Sequence, residues 1–149
     1  MGRARARLPA PDRAAPGAGA PFGKGEMGVK TVLIADDEDS LRALVEATLV
    51  SDQYEIIQAR DGDEALDLAT KHRPDVAILD VQMPGMTGLE VTRAIKALPT
   101  LHTTVILLTS NSRPADIAAG KEAGADLYLT KPFSPLELLM SVEQALDLA

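Results

Sequence analysis

Between residue 30 and the C-terminus, five short apolar runs alternate with five helical segments, and no other feature restricts the fold of this chain so tightly. The runs are KTVLIA (30–35), YEIIQA (54–59), DVAILD (75–80), TVILLT (104–109) and DLYLT (126–130). The segments that follow them are SLRALVEATLVS (40–51), GDEALDLATKH (62–72), GLEVTRAIKAL (88–98), PADIAAGKEAG (114–124) and SPLELLMSVEQALDLA (134–149). In the first of these, Leu41, Leu44, Val45, Thr48 and Leu49 recur at helical spacing; in the second, Ala65, Leu66, Leu68 and Ala69 do. The strand runs are apolar with little alternation, as parallel strands buried on both faces are. Such a succession predicts a parallel sheet with helices on both faces. Right-handed crossovers narrow the choice to a doubly wound α/β sandwich.

Local signals punctuate the pattern. Asp39 or Ser40 is suited to cap the first helix and Asp61 the second, while Pro99 stops the third. Ser134, Pro135 and Glu137 form the start signal of the fifth, with Ser134 and Glu137 as a capping box. The fourth helix contains Gly120, ends at Gly124 and has a short apolar face, so it is the least secure locally.

A chain of 149 residues fits one domain with a single core. Residues 30–149 are expected to form it. Residues 1–29, rich in Arg, Ala, Pro and Gly, lack a sustained apolar period and read as a disordered tail. Met27, just before the first strand, offers a second start that would remove the tail and leave the domain whole. The stretch GAGAPFGKG resembles a phosphate loop only superficially: Ala18 and Gly25 stand where that motif needs Gly and Ser/Thr. The tail also lacks the continuous apolar segment of a secretory signal.

Charge divides along the same boundary. The tail carries net +3 and the remainder net −10, so the body would repel a phosphate backbone and no direct nucleic-acid partner is expected. Aromatic residues are 3% of the chain, too few for a base-stacking surface. The chain has no cysteine, which excludes thiolate chemistry and fits a reducing compartment; a cytoplasmic location is the expectation. His72 and His102 have no metal-ligand spacing. No apolar run approaches the ~20 residues of a membrane span.

In open α/β sheets, ligands bind beyond the carboxyl ends of the strands. The first strand there is followed by Asp36, Asp37, Glu38 and Asp39; the third ends on Asp80; the fourth ends on Thr109 and Ser110; the fifth leads into Lys131 and Pro132. Any one of these alone reads as a cap or a solvated charge. Together they put acids, a hydroxyl and an ammonium at one edge. Clustered carboxylates repel one another unless a proton or a cation intervenes. Asp36, Asp37 and Asp80 are hard oxygen donors of the kind Mg²⁺ takes. With its charge so compensated, Asp80 can attack phosphorus, and Lys131 and Thr109 can meet phosphoryl oxygens.

From about Lys30 onward the chain resembles the receiver domains of two-component response regulators. The resemblance is carried by the pair Asp36-Asp37, by LDVQMPGMTGLE around Asp80, by LLTS with Thr109, and by YLTKPF with Lys131-Pro132. It implies a flavodoxin-like sheet in the order 2-1-3-4-5, a cis Lys131-Pro132 bond, and Asp80 as phosphoacceptor. It further implies Mg²⁺ bound by Asp37, Asp80 and the backbone carbonyl of Gln82, with Asp36 acting largely through water. Thr109 and Tyr128 would be switch residues that alter the face of helix four, strand five and helix five. Gln82 and Asn111 would tune phosphate lifetime through the attacking water. The implied phosphodonor is a sensor histidine kinase or a histidine phosphotransfer protein. The implied output is a downstream protein bound on that face, onward relay, or a phosphorylation-dependent homodimer.

The chain ends within or just after helix five, so a stand-alone, chemotaxis-regulator-like receiver is the first expectation. Its chemistry would be limited to self-catalysed phosphoryl transfer and autodephosphorylation. The alternative is the receiver portion of a larger regulator with a DNA-binding or enzymatic output domain. An aspartyl-phosphate phosphatase is disfavoured because Gln82 stands where its second acid belongs. A flavin module of the same topology is disfavoured because four acids follow the first strand. A scaffold-only pseudo-receiver would lack Asp80 or Lys131, and both are present.

Overall fold

The computed structural model describes residues 28–110 and 113–148. The expected tail, except Gly28 and Val29, lies outside them, as does Asn111. The strands are β1 (Lys30–Ala35), β2 (Tyr54–Ala59), β3 (Val76–Asp80), β4 (Thr104–Thr109) and β5 (Leu127–Thr130). The helices are α1 (Asp39–Leu49), α2 (Gly62–His72), α3 (Gly88–Ala97), α4 (Pro114–Ala123) and α5 (Pro135–Leu148). The sheet order is β2-β1-β3-β4-β5, the flavodoxin-like arrangement expected. Thr31–Ser51 and Ile56–Ala149 form the main compact unit. Lys30 and Asp52–Glu55 belong to a second, in which the Lys30 amide donates to the Gln53 carbonyl oxygen at 2.9 Å.

Successive strand residues face opposite sides of a sheet, and both sides are covered here. Leu33, Ala35, Ala77, Leu79, Val105 and Leu107 join Ala65 and Ala69 of α2 and Val91 and Ile95 of α3 in one buried cluster. Their neighbours Val32, Ile34, Ile78, Ile106 and Leu108 are also buried. On the helices, Val45 and Leu49 of α1 and Leu138, Val142 and Ala145 of α5 are buried as well; α5 packs on β3, β4 and β5 and against α1. All five residues of β3 are buried, which accounts for its uninterrupted apolar run.

Register then brings the chemistry together. Ala35 pairs with Leu79, so the next residues, Asp36 and Asp80, lie side by side. Asp80 pairs with Leu108, the residue before Thr109, and Thr109 pairs with Thr130, the residue before Lys131. The Lys131 amide donates to the Thr109 carbonyl oxygen at 2.8 Å, and the Lys131-Pro132 peptide is cis, as expected.

The caps at Asp61 and Ser134 form as read. Asp61 accepts from the Glu64 amide at 2.8 Å. Ser134 Oγ accepts from the Glu137 amide at 3.1 Å, and the Glu137 carboxylate accepts from the Ser134 amide at 2.8 Å. Helix α1 departs from expectation. Its N-cap is Glu38, whose side chain makes no capping bond, and it ends at Leu49 rather than Ser51. Its buried face is Arg42, Val45 and Leu49, while Leu44 is 39% exposed. The apolar stripe taken from the sequence was therefore rotated, because a buried arginine holds a core position.

Helix α3 begins against the strand it follows. Thr87 and Glu90 close a capping box, and the Gly88 amide donates to the Val81 carbonyl oxygen at 2.9 Å. A Cβ on Gly88 would collide with the Asp80 carbonyl oxygen and lie 2.8 Å from the Asp80 carbonyl carbon. The obstacle is backbone and cannot rotate away. Gly88→Ala is expected to cost about 3 kcal/mol despite a helix-propensity gain of about 1 kcal/mol. The check is a lower urea midpoint at unchanged slope; a wild-type midpoint would mean that the loop yields freely.

Candidate functional site

A cleft of about 720 Å³ opens at the carboxyl ends of the strands, with Asp37, Asp80, Gln82, Thr109, Arg113 and Tyr128 among its lining residues. Beside it, Lys131 follows directly after β5. Its Nζ donates to Asp36 Oδ2 and Asp80 Oδ2, both at 3.0 Å. Asp36 is wholly buried and also accepts from the Glu38 amide at 2.9 Å. Asp80 is 7% exposed, and its Oδ1 accepts from the Gln82 amide at 3.3 Å. Asp37 is exposed at the rim. Carboxylate oxygens of Asp36, Asp37 and Asp80 lie within 4.8 Å of one another.

Backbone contacts hold the loop that follows Asp80. Beyond β3, the Val81 amide donates to the Leu108 carbonyl oxygen at 3.0 Å, extending the ladder by one residue. Gly85, at φ 73°, then turns the chain back toward α3. Only a residue without a side chain adopts that conformation at no cost.

The electrostatics follow from burial and from the crowding of charges. Burial raises the Asp80 pKa above its ordinary 3.8, and the Asp36 charge adds to this against the lowering effect of Lys131. For Lys131, burial opposes the charged form, but its hydrogen bonds to Asp36 and Asp80 and their charges prevail and raise its pKa above 10.5. Asp80 therefore binds its proton more tightly folded than unfolded. Stability is lost as pH rises from 3.8 through the folded value. Metal-free Asp80→Asn is accordingly expected to melt about 3 °C above wild type at pH 7. The difference should vanish below pH 3.8. Thermal melts in a chelator across pH provide the check, and a lower melting point for the variant at pH 7 would contradict the crowding.

Thr109 is buried at the end of β4 and lines the same cleft. Tyr128 is half-buried, and its hydroxyl donates to the Ile117 carbonyl oxygen of α4 at 3.2 Å. Its ring lies against Gly120, where a Cβ would come within 2.6 Å of Tyr128 Cε1. Gly120 thus serves as a seat for the ring. The N-cap residue of α4, Arg113, makes no side-chain cap bond among the described residues; its ion pair with Asp116 at 3.0 Å closes the first turn.

Residues 32–143 match the family model described as the response regulator receiver domain. The chain belongs to that family. It is 38% identical over 117 residues to the alkaline phosphatase synthesis transcriptional regulatory protein PhoP of Bacillus subtilis strain 168. That alignment covers 78% of this chain and 48% of the relative, so the chain spans about half the length of the relative. Among solved structures, the Vibrio cholerae chemotaxis protein CheY4 superposes with a TM-score of 0.74 at 39% identity, covering 79% of this chain and 99% of that one. The receiver domain of Francisella response regulator 1452 gives 0.73 at 30% identity, covering 79% and 97%.

In this receiver domain the acid cluster fits a hard divalent cation. All three side chains offer oxygen. A six-coordinate ion with bonds of about 2.1 Å spans about 4.2 Å across its shell, so a small closure of the carboxylates suffices. Burial is the main cause of the raised Asp80 pKa; the Asp36 charge that adds to it is what a cation would relieve. Every site residue named from the sequence and lying within the described residues reaches this end of the sheet.

One residue was missed. Arg42 of α1 is 6% exposed. Its Nη1 donates to the Asp36 carbonyl oxygen at 2.7 Å, its Nε donates to Gln58 Oε1 at 3.1 Å, and its Nη2 pairs with Asp39. Gln58 in turn donates to Glu46 Oε1 at 2.8 Å. The sequence does hold the signal: 42, 45 and 49 share one helical face, the apolar stripe turned away from Leu44 and toward Arg42.

Proposed function

We propose that this receiver domain accepts a phosphoryl group on Asp80 from a phosphohistidine of a sensor kinase or phosphotransfer protein. The observation that carries the reading is the Lys131 ammonium 3.0 Å from both Asp36 and Asp80, beside three carboxylates within 4.8 Å. A carboxylate oxygen of Asp80 forms the new bond to phosphorus as the bond to the donor nitrogen breaks, and the imidazole leaves with the electron pair. Lys131 and the Thr109 hydroxyl meet phosphoryl oxygens. Asp36, Asp37, Asp80 and the Gln82 carbonyl would hold Mg²⁺, whose charge offsets the acids and the incoming group. Water later hydrolyses the aspartyl phosphate, at a rate tuned by Gln82 and Asn111.

The switch runs through Thr109 and Tyr128 to α4, β5 and α5. Phosphate shifts a two-state equilibrium in which Tyr128 bears on α4. The Tyr128–Ile117 bond and the Gly120 seat support that coupling. Leu136 and Met140, 65% and 59% exposed on α5, supply apolar surface for a downstream protein or a second copy. A cytoplasmic location is part of the proposal; no described helix is long and apolar enough to cross a membrane. A second reading, the receiver portion of a larger regulator, is favoured by the 48% coverage of a relative named as a transcriptional regulatory protein.

The test is incubation with Mg²⁺ and a small acyl phosphate, followed by intact-mass measurement. A gain of ~80 Da that chelation abolishes is expected. An unchanged mass under saturating donor refutes the proposal.

A further inference from the structure

Asp36 and Asp37 can serve together only if the peptide between them is held still. Its neighbours contribute to that hold: the Asp36 amide donates to the Ala59 carbonyl oxygen at 3.2 Å, and the Asp36 carboxylate is taken by Lys131 and the Glu38 amide. The peptide carbonyl itself is taken by Arg42 Nη1 at 2.7 Å. That guanidinium is buried, and its other nitrogens are fixed by Gln58 of β2 and Asp39 in the first turn of α1. Helix α1 has no side-chain cap. Arg42 therefore ties the acid-bearing loop to β2 and to the first turn of α1.

We propose that Arg42 is a positioning residue for cation binding: its planar fork fixes the Asp36 carbonyl and with it the spacing of the Asp36 and Asp37 carboxylates. The inference rests on the reading of Asp36, Asp37 and Asp80 as a Mg²⁺ site. Its sign separates it from simple electrostatics. A cation beside a dication site repels the dication, so charge alone would make Mg²⁺ bind more tightly once Arg42 is neutralised. Positioning demands the reverse. It also demands that lysine fail as a substitute, because one ammonium cannot reproduce a fork that reaches three partners.

The experiment measures Mg²⁺ affinity by direct titration of the full chain, without phosphodonor, for wild type, Arg42→Lys and Arg42→Gln. Both variants are expected to bind about tenfold more weakly, as when the partners that orient metal ligands are removed. Amide exchange at Asp37 and Glu38 in the metal-free protein should be faster in both. A wild-type affinity in Arg42→Lys, or an equal or tighter one in Arg42→Gln, overturns the proposal, even if both variants melt at lower temperature. If wild type binds no Mg²⁺, the cation reading and the cation role of Arg42 fall together; accelerated exchange would then leave only a loop anchor. If neither Arg42 variant folds, Gln58→Ala decides by the same readings. It removes one anchor of the fork and should weaken Mg²⁺ about threefold; an unchanged affinity would overturn the proposal.

Discussion

Asp80→Asn is expected to show no mass gain under conditions in which wild type is fully phosphorylated, a loss of at least about a thousandfold in labelling rate. The substitution keeps the shape of the side chain and an oxygen that can still accept from Lys131, but an amide oxygen is a poor nucleophile toward phosphorus. The neighbouring acids are poor replacements for reasons visible in the geometry. Asp36 is wholly buried, does not line the cleft, and is held by Lys131 and the Glu38 amide. Asp37 is exposed at the rim. Asp80 combines access from the cleft with a rigid mount on the most buried strand. Intact mass gives the readout, and peptide mapping locates any residual label. Persistent labelling on Asp37 at a wild-type rate would move the acceptor to the rim and defeat the assignment.

The strands were legible because burial on both faces leaves a direct trace: Val76–Leu79 and Thr104–Leu108 are buried throughout, and their apolar runs say so. The site was legible for a related reason. A polar residue that ends such a run falls at the sheet edge, and parallel register aligns successive edges, as the pairs Ala35–Leu79 and Thr109–Thr130 do. The helices were less transparent. Apolar spacing in the first points to a stripe containing Leu44 and passes over the core position of Arg42, because hydrophobicity marks burial only for apolar side chains. A guanidinium is buried when backbone and side-chain acceptors surround it, and those acceptors, the Asp36 carbonyl and Gln58, lie on other elements. The Gly88 contact was hidden in the same way. A glycine that admits the backbone of another segment carries no local mark, since only the packed fold shows Asp80 above it.

Lys131→Met is expected to separate two roles that wild type combines. In the first, the ammonium meets phosphoryl oxygens, and its loss should slow labelling about a hundredfold or more, as when a preorganised donor to a developing charge is removed. In the second, it neutralises Asp36 and Asp80. Its folded pKa lies above 10.5, so the stability it contributes is fully present below that value and is lost as pH rises through the folded one. Wild type therefore has this contribution at pH 7. The variant loses it and leaves a wholly buried Asp36 with the Glu38 amide but no cation. Breaking such a pair costs about 3 kcal/mol, the low end for a buried pair, because a fifth of the Lys131 side chain stays exposed. The deficit should shrink on acidification, as Asp80 takes up a proton. Mg²⁺ should restore much of the stability, since it supplies charge to the same carboxylates, yet it should leave labelling slow, since it does not replace a donor aimed from just beyond β5. Urea unfolding with and without Mg²⁺, beside labelling rates at saturating Mg²⁺, distinguishes the two roles. Labelling at the wild-type rate would show that Lys131 serves only to neutralise the acids.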